Sequence, residues 1–204
     1  LKIELRDKSG QAATLNNIGR VHDDLGDKTK ALKFLNQSLP LMIEIGDKSQ
    51  QAVTLNNIGV VYWDLGDNQQ ALKFYNQSLA LLIEVGNKFR QAGILGNLAN
   101  LERKQDNLQA SLKHIESAIQ LIEELRGAYT DKDLKATYFA TVQDYYKFYI
   151  DLLMEFDKKN PGQNYDALAL NVSERSRARV LLELLTESNA KIRKGAKPEL
   201  LQQE

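Results

Sequence analysis

The sequence predicts an all-α chain in which antiparallel helix pairs stack into a right-handed superhelix, an α-α solenoid. Three observations predict it. Ser9–Leu39 (SGQAATLNNIGRVHDDLGDKTKALKFLNQSL) and Ser49–Leu79 (SQQAVTLNNIGVVYWDLGDNQQALKFYNQSL) agree at about two thirds of their positions, 40 residues apart. Gly26, Gly46, Gly66 and Gly86 recur at half that period, each followed by Asp or Asn. Between these glycines the apolar residues return at helical spacing. A fixed period of this length marks stacked units that bury their apolar faces on their neighbours.

The elements follow in order. A Gly after an apolar-periodic run closes a helix, because it takes positive φ without steric cost. Asp27, Asp47 and Asp67 then cap the next helix, with Asp47-x-x-Gln50 and Asp67-x-x-Gln70 at capping-box spacing. Each block reads helix, tight turn, helix, tight turn, with turns at Gly26-Asp27, Gly46-Asp47, Gly66-Asp67, Gly86-Asn87 and near Asp106-Asn107. Leu15, Ile18, Gly19, His22 and Leu25 mark one helix, and Leu32, Leu35, Leu39 and Met42 the next. Helices of about 17 residues joined by such short turns lie antiparallel. Pro40, aligned with Ala80, falls inside the helix Lys28–Ile45. There it removes a backbone donor and predicts a local bend near Asn36. A weaker third copy follows. Gln91-Ala92 matches Gln51-Ala52, Asn97 matches Asn57, and Ser111-Leu112-Lys113-His114 matches Ala71-Leu72-Lys73-Phe74.

These blocks resemble tetratricopeptide repeats (TPR), whose pattern is W-x2-L-G-x2-Y, then A-x3-F, then a late Pro. The chain has Leu15-x2-Ile18-Gly19-x2-His22 with Ala31-x3-Leu35, then Leu55-x2-Ile58-Gly59-x2-Tyr62 with Ala71-x3-Tyr75. The first aromatic has become Leu, the late Pro is missing, and the period is 40 rather than about 34. Both departures look like the long-repeat subfamily, similar to kinesin light chains and the LGN/Pins polarity adaptors. The resemblance covers residues 1–126 and implies a protein-interaction scaffold.

Leu1–Asn17 parallels Leu41–Asn57, so the chain is expected to open inside the second helix of a preceding repeat and to belong to a longer array. Residues 127–187 read as an enlarged, degenerate helix pair closing the stack, and residues 188–204 as a polar tail or linker. In that pair Asp131–Lys158 carries Tyr138, Phe139, Tyr145, Tyr146, Phe148, Tyr149 and Phe156. Lys159-Asn160-Pro161-Gly162 breaks it, and Asn164–Glu187 is the second helix. Glu174-Arg175-Ser176-Arg177-Ala178-Arg179-Val180-Leu181-Leu182-Glu183-Leu184-Leu185 is similar to the helix between TPR arrays and the CHAT domain, a caspase-like peptidase module of bacterial multidomain proteins. That resemblance implies a peptidase beyond Glu204. The plain alternative is an amphipathic helix with a solvated basic stripe beside Val180, Leu181, Leu184 and Leu185.

Composition narrows the function classes. Basic and acidic side chains number 27 each, so no global field draws in nucleic acid or an acidic membrane. Cys is absent, which excludes disulfides, thiolate metal sites and a Cys nucleophile in these residues. No apolar run approaches the roughly 20 residues of a membrane span, and Leu1 onwards is not expected to be a signal peptide. The expected setting is the cytoplasm, in a bacterial signalling protein. His22 aligns with Tyr62, and His114 with Phe34 and Phe74, so both are expected to be mostly buried as packing rings that bind no metal. No phosphate loop or zinc spacing exists. Acidic residues follow caps and turns, which leaves paired-carboxylate chemistry without support. The chain is expected to be no enzyme and to use no cofactor.

The resemblance implies that the first helix of each pair lines a concave groove. The residues sharing that stripe are Ala13, Asn16, Asn17, Arg20, Asp23 and Asp24, then Val53, Asn56, Asn57, Val60, Trp63 and Asp64, then Gly93, Gly96, Asn97, Asn100, Arg103 and Lys104. Helix propensity gives no reason to repeat Asn there, and its amide can bridge the backbone of an extended peptide. Asn17, Asn57 and Asn97 match the groove asparagine by which TPR relatives hold a peptide. Alternatively these amides bond neighbouring helices and fix the superhelix. Trp63 aligns with Asp23 and Arg103, surface residue types, and reads as an exposed aromatic anchor. Asp23, Asp24 and Asp64 make one end acidic, and Arg103 and Lys104 make the other basic. Three functions fit: a scaffold holding a peptide or partner domain, an intramolecular regulator of a C-terminal CHAT peptidase, or a structural or self-assembly spacer.

Overall fold

The structure, a computed structural model, describes residues 2–125 and 132–195. Within them, the side chains of residues 2–6, 132–141, 180, 183, 184 and 186–195 lie outside the description. The described residues form helices α1 (Lys2–Asp24), α2 (Lys28–Ile45), α3 (Lys48–Asp64), α4 (Asn68–Glu84), α5 (Lys88–Lys104), α6 (Leu108–Leu125), α7 (Lys132–Lys159) and α8 (Tyr165–Gly195), with no strand among them. The chain divides into two compact units, residues 1–135 and 136–204.

One turn builds the first unit. Gly26 takes φ 80° and donates its N–H to the Asp23 carbonyl (2.9 Å), and the Asp27 N–H reaches back to the His22 carbonyl (2.8 Å). This is the Schellman closure. It recurs at Gly46, Gly66 and Gly86. At the fifth turn Asp106 takes the same place with φ 63°, and Asn107 bonds back to the Glu102 carbonyl at 2.9 Å. The next helix starts at once, because the side chains of Asp27, Asp47, Asp67 and Asn87 accept the N–H of Lys30, Gln50, Gln70 and Arg90 at 3.0–3.1 Å. Pro40 lies inside α2, which continues through it to Ile45.

Helices pair α1 with α2, α3 with α4 and α5 with α6. A Cβ at Gly19 would lie 2.7 Å from Leu35, and one at Gly59 would lie 2.7 Å from the Tyr75 ring, so glycine is what lets the large residue in. The third pair has Ala99 and Ile115 at the matching positions. Buried Ser38 donates to the Ala12 carbonyl (2.8 Å) and buried Ser78 to the Ala52 carbonyl (2.7 Å). Three ion pairs, Lys8–Glu44, Lys48–Glu84 and Lys88–Glu124, tie each first helix to the end of its mate, from the first residue of α3 and α5 and from the seventh of α1. They are exposed and contribute at most about 1 kcal/mol each. Between pairs, the Gln51 and Gln91 amides donate to the carbonyls of Met42 (3.0 Å) and Leu82 (2.9 Å). Ala31, Leu35, Ile58 and Val61 form one inter-pair core; Ala52, Ala71, Tyr75, Leu82, Ile94, Leu98 and Leu101 form the next.

Two expectations for this unit are corrected. The chain does not turn near residue 6, and α1 runs unbroken from Lys2. The turn before α3 uses Gly46 at positive φ, and the matching residue is Arg6. His22 and His114 are half-buried rather than mostly buried. His22 lies flat on Phe34 (5.4 Å, 5°), as Tyr62 lies on Phe74 (5.5 Å, 5°), so these rings stack at the edge of the pair and keep one side open. Burial lowers the pKa of His114, against the opposing pull of Glu102.

In the second unit, Val142, Tyr146, Tyr149, Leu153 and Phe156 make a buried seam along α7, and Ala169, Val172, Ser176 and Arg179 make one along α8. Phe156 stacks on Tyr165 (5.0 Å), and Ser176 donates to Gln143 (3.3 Å). Burial pushes the Tyr145 hydroxyl up to about 12. The side chains of Tyr138, Phe139, Val180 and Leu184 lie outside the described residues. Arg179 is buried, guanidinium included, rather than on a solvated stripe. Leu181 and Leu185, expected on an apolar face, are exposed. α8 also continues past Ser188 to Gly195, and of the expected tail only residues 196–204 lie outside the description.

Two substitutions test this packing. Asp106→Gly removes a left-handed non-glycine residue and is expected to raise stability by up to about 1 kcal/mol in urea unfolding. Gly59→Ala is expected to cost about 1–3 kcal/mol by overpacking Tyr75. Adding Tyr75→Ile, which reproduces the Ala99/Ile115 combination, should recover most of that loss in a double-mutant cycle.

Candidate functional site

The first helices of the three pairs, α1, α3 and α5, carry a chain of asparagine amides. Asn57 Nδ2 donates to Asn16 Oδ1 (3.0 Å) between α1 and α3, and Asn97 Nδ2 donates to Asn56 Oδ1 (2.9 Å) between α3 and α5. Asn56 Nδ2 stands 3.5 Å from Asn57 Oδ1, a weak link between the two rungs. The rungs therefore join each asparagine to the residue one position before its equivalent. The expectation of three like amides at Asn17, Asn57 and Asn97 is corrected on this point. Asn57 and Asn97 are half-buried and bonded across helices, whereas Asn17 is exposed. Asn16 is buried. An Asn amide has two donors and two acceptor lone pairs. One cross-helix bond leaves the half-buried Asn56, Asn57 and Asn97 with capacity for another partner.

Beside the first rung, Arg20, Asp23 and Asp24 of α1 and Asn57 and Val60 of α3 line a cleft of about 160 Å³ with Leu35 of α2. Lys28, the first residue of α2, reaches up to this rim. Its ammonium lies 2.7 Å from Asp23 and also pairs with Asp64. Burial by itself would lower the Lys28 pKa, but the two carboxylates outweigh it and hold it above its ordinary value. Burial raises the Tyr75 hydroxyl pKa, with Asp64 and Asp23 adding to the shift, which places that phenol near the same acids.

The remaining predicted residues divide. Trp63 is half-buried, not an exposed anchor. It packs on the core made by Ala71, Tyr75, Leu98 and Leu101, and the Lys104 ammonium lies 5.8 Å from its ring centroid. Asn100 is exposed and donates to the Gly96 carbonyl of its own helix (2.9 Å). Arg103 is half-buried and Lys104 exposed. The acidic end is partly neutralised, because Lys28 serves both Asp23 and Asp64. Sequence reasoning missed Lys28 and Leu35, which lie on a second helix. One signal was readable for Lys28: it aligns with Asn68 and Leu108, and Asp23 aligns with Trp63 and Arg103. The cation occurs only in the block that carries the acid. Among the described residues no group of His, Cys, Asp or Glu side chains could hold a metal ion, and no helix is long and apolar enough to cross a membrane.

Tetratricopeptide repeat family profiles match residues 10–84 and 91–131. No curated protein matches the chain. Among solved structures, BtubC (BKLC) from P. vanneervenii is similar, with TM-score 0.66 and 17% identity over 83% of this chain. The chain spans 64% of the length of that protein. A Podosopora anserina putative kinesin light chain with nearly identical TPR-like repeats matches with TM-score 0.52 and 14% identity, over 90% of this chain and 96% of the other. At these identities the likeness concerns the fold.

Lys28→Met leaves Asp23 and Asp64 without their shared cation and is expected to cost about 1–2 kcal/mol near neutral pH. The folded-state pKa of Lys28 is raised, so its contribution is fully present below 10.5 and lost as pH rises through the folded value. Urea unfolding across pH should show a constant gap between parent and variant up to about pH 10, narrowing above it.

Proposed function

Because the chain belongs to the tetratricopeptide repeat family, a non-enzymatic family of protein–protein interaction scaffolds, we propose that α1, α3 and α5 hold an extended segment of a partner protein. The observation that carries this reading is the cleft between α1 and α3, where Arg20, Asp23, Asp24, Asn57 and Val60 converge beside Leu35. Five of its six lining residues belong to the stripe that the resemblance to tetratricopeptide repeats implies. An extended peptide has unpaired backbone donors and acceptors, and the half-buried amides of Asn56, Asn57 and Asn97 face that need with the capacity left from their rungs. Val60, above the buried Leu35, offers one side chain an apolar contact. Asp24 and Arg20 give the rim charges of both signs, which orient a ligand more than they tighten it.

A second reading is intramolecular: the chain docks on a CHAT peptidase domain of the same protein and controls it. It is favoured by the exposed Leu170, Leu181 and Leu185 of α8, two of them within the stretch that resembles the CHAT-associated helix. Under that reading Leu181→Glu uncouples the peptidase and leaves peptide binding in the first unit intact.

Titration with a peptide selected from a random library tests the groove. Asn57→Ala is expected to weaken binding by about 1 kcal/mol or more. Since that variant also strands buried Asn16, Arg20→Ala supplies a cleft change that leaves the rung in place, and it should weaken binding as well. Unchanged affinity in both, with helicity retained, moves the binding surface elsewhere, with the Tyr-rich α7 the next place to look.

A further inference from the structure

Leu170, Glu174, Arg177 and Leu181 of α8 are all exposed, the two leucines at 60% and 59%. Steps of four, three and four residues put them on one stripe of the helix. α8 already buries its other side, where Ala169, Val172, Ser176 and Arg179 form a seam and Ser176 reaches Gln143 of α7. An amphipathic helix needs one such seam. The exposed stripe lies on the opposite side, and a single exposed leucine there would need no explanation. The order of the four does. Read in either direction along the helix, the stripe runs apolar, charged, charged, apolar, and reversal exchanges the acid for the base. It is complementary to itself.

We propose that this stripe is the contact surface for α8 of a second copy of the chain. The two helices run antiparallel about a two-fold axis that passes between Arg175 and Ser176. Positions equally far from that axis then face each other. Leu170 meets Leu181 of the other copy and Glu174 meets Arg177 of the other copy, each contact made twice by symmetry. Parallel pairing would set Glu174 against Glu174 and Arg177 against Arg177, so the charge order selects the antiparallel arrangement. Arg177 gives one N–H to Ser173 of its own helix (3.3 Å), and its guanidinium keeps others for the acid. Leu185, also exposed, flanks the stripe and falls beside the exposed Ala167 of the other copy, which widens the apolar contact. An unrelated domain docking here, such as the peptidase of the second reading, has no need of a stripe that complements itself. An interface built on one stripe of one helix is small, so the dimer is weak and depends on concentration.

Sedimentation of the full chain over a concentration series tests this. The parent should pass from monomer to dimer as concentration rises. Glu174→Arg gives the stripe two bases and Arg177→Glu gives it two acids. Each alone should raise the dimer dissociation constant about tenfold or more, since every charged contact becomes repulsive. A mixture of the two variants pairs base with acid at each contact and should dimerise at least as well as the parent. Both exchanges in one chain restore self-complementarity, and that chain should dimerise like the parent. A parent that stays monomeric up to its solubility overturns the proposal and leaves the stripe to another partner, such as a peptidase domain. So does a dimer that both single variants retain, which uses a different face. Failure of both the mixture and the double variant to dimerise also overturns it.

Discussion

A helix-closing residue at positive φ, followed at once by the start of the next helix, sets the length of every helix from α2 to α5. The closure satisfies two orphan carbonyls of the finished helix, and the cap satisfies a donor of the next. Because both lie within three residues, the chain reverses with no slack. Each helix then meets its mate in a fixed register. That register brings Gly19 under Leu35 and Gly59 under Tyr75, lines up Lys8, Lys48 and Lys88 with their glutamates, and puts asparagines of successive first helices within hydrogen-bond reach. An inserted residue in one turn would separate the closure from the cap and undo all of these together.

What was legible in the sequence is what depends on short range. Gly26, Gly46, Gly66 and Gly86 announce themselves by type, and a cap three residues from its target is a local arrangement. Even Asp106 could be placed by period, though its residue type gives a weaker signal than glycine. Less was legible where the deciding contact lies on another element. Trp63 aligns with surface residues, yet the core beneath it is supplied by α4 and α5, and that core takes the ring. The asparagines were found by repetition, but their one-residue offset comes from the stagger of neighbouring helices, which no single block contains. The start of α1 was misjudged because Leu1–Asp7 resembles a helix end at most positions, while the absence of glycine at Arg6 removes the one residue that makes the end.

The asparagine rungs serve two ends in the proposed function. Each amide is held by a neighbour in another repeat, which fixes its rotamer before any ligand arrives and lowers the entropy lost on binding. The same bond ties ligand contact to the spacing between repeats. A peptide competing for Asn57 loosens the α1–α3 rung, and one accepting its second N–H leaves the rung intact. Affinity and repeat spacing are therefore linked through a single amide, and the cleft is more than a passive surface.

Lys28 has a consequence for how the chain assembles. Blocks as alike as Ser9–Leu39 and Ser49–Leu79 invite error during folding, because α2 and α4 present nearly the same face and each could pair with the wrong first helix. Misassembly of this kind is a known failure of repeat proteins. Exchange of the two helices would take Lys28 away from Asp23 and leave Asn68 there, an amide that cannot neutralise a carboxylate. It would also set Leu35 into the space over Gly59 that Tyr75 fills. The ion triad and the tyrosine act as address labels on otherwise interchangeable parts, making the correct neighbour the one that leaves neither a stranded charge nor a void.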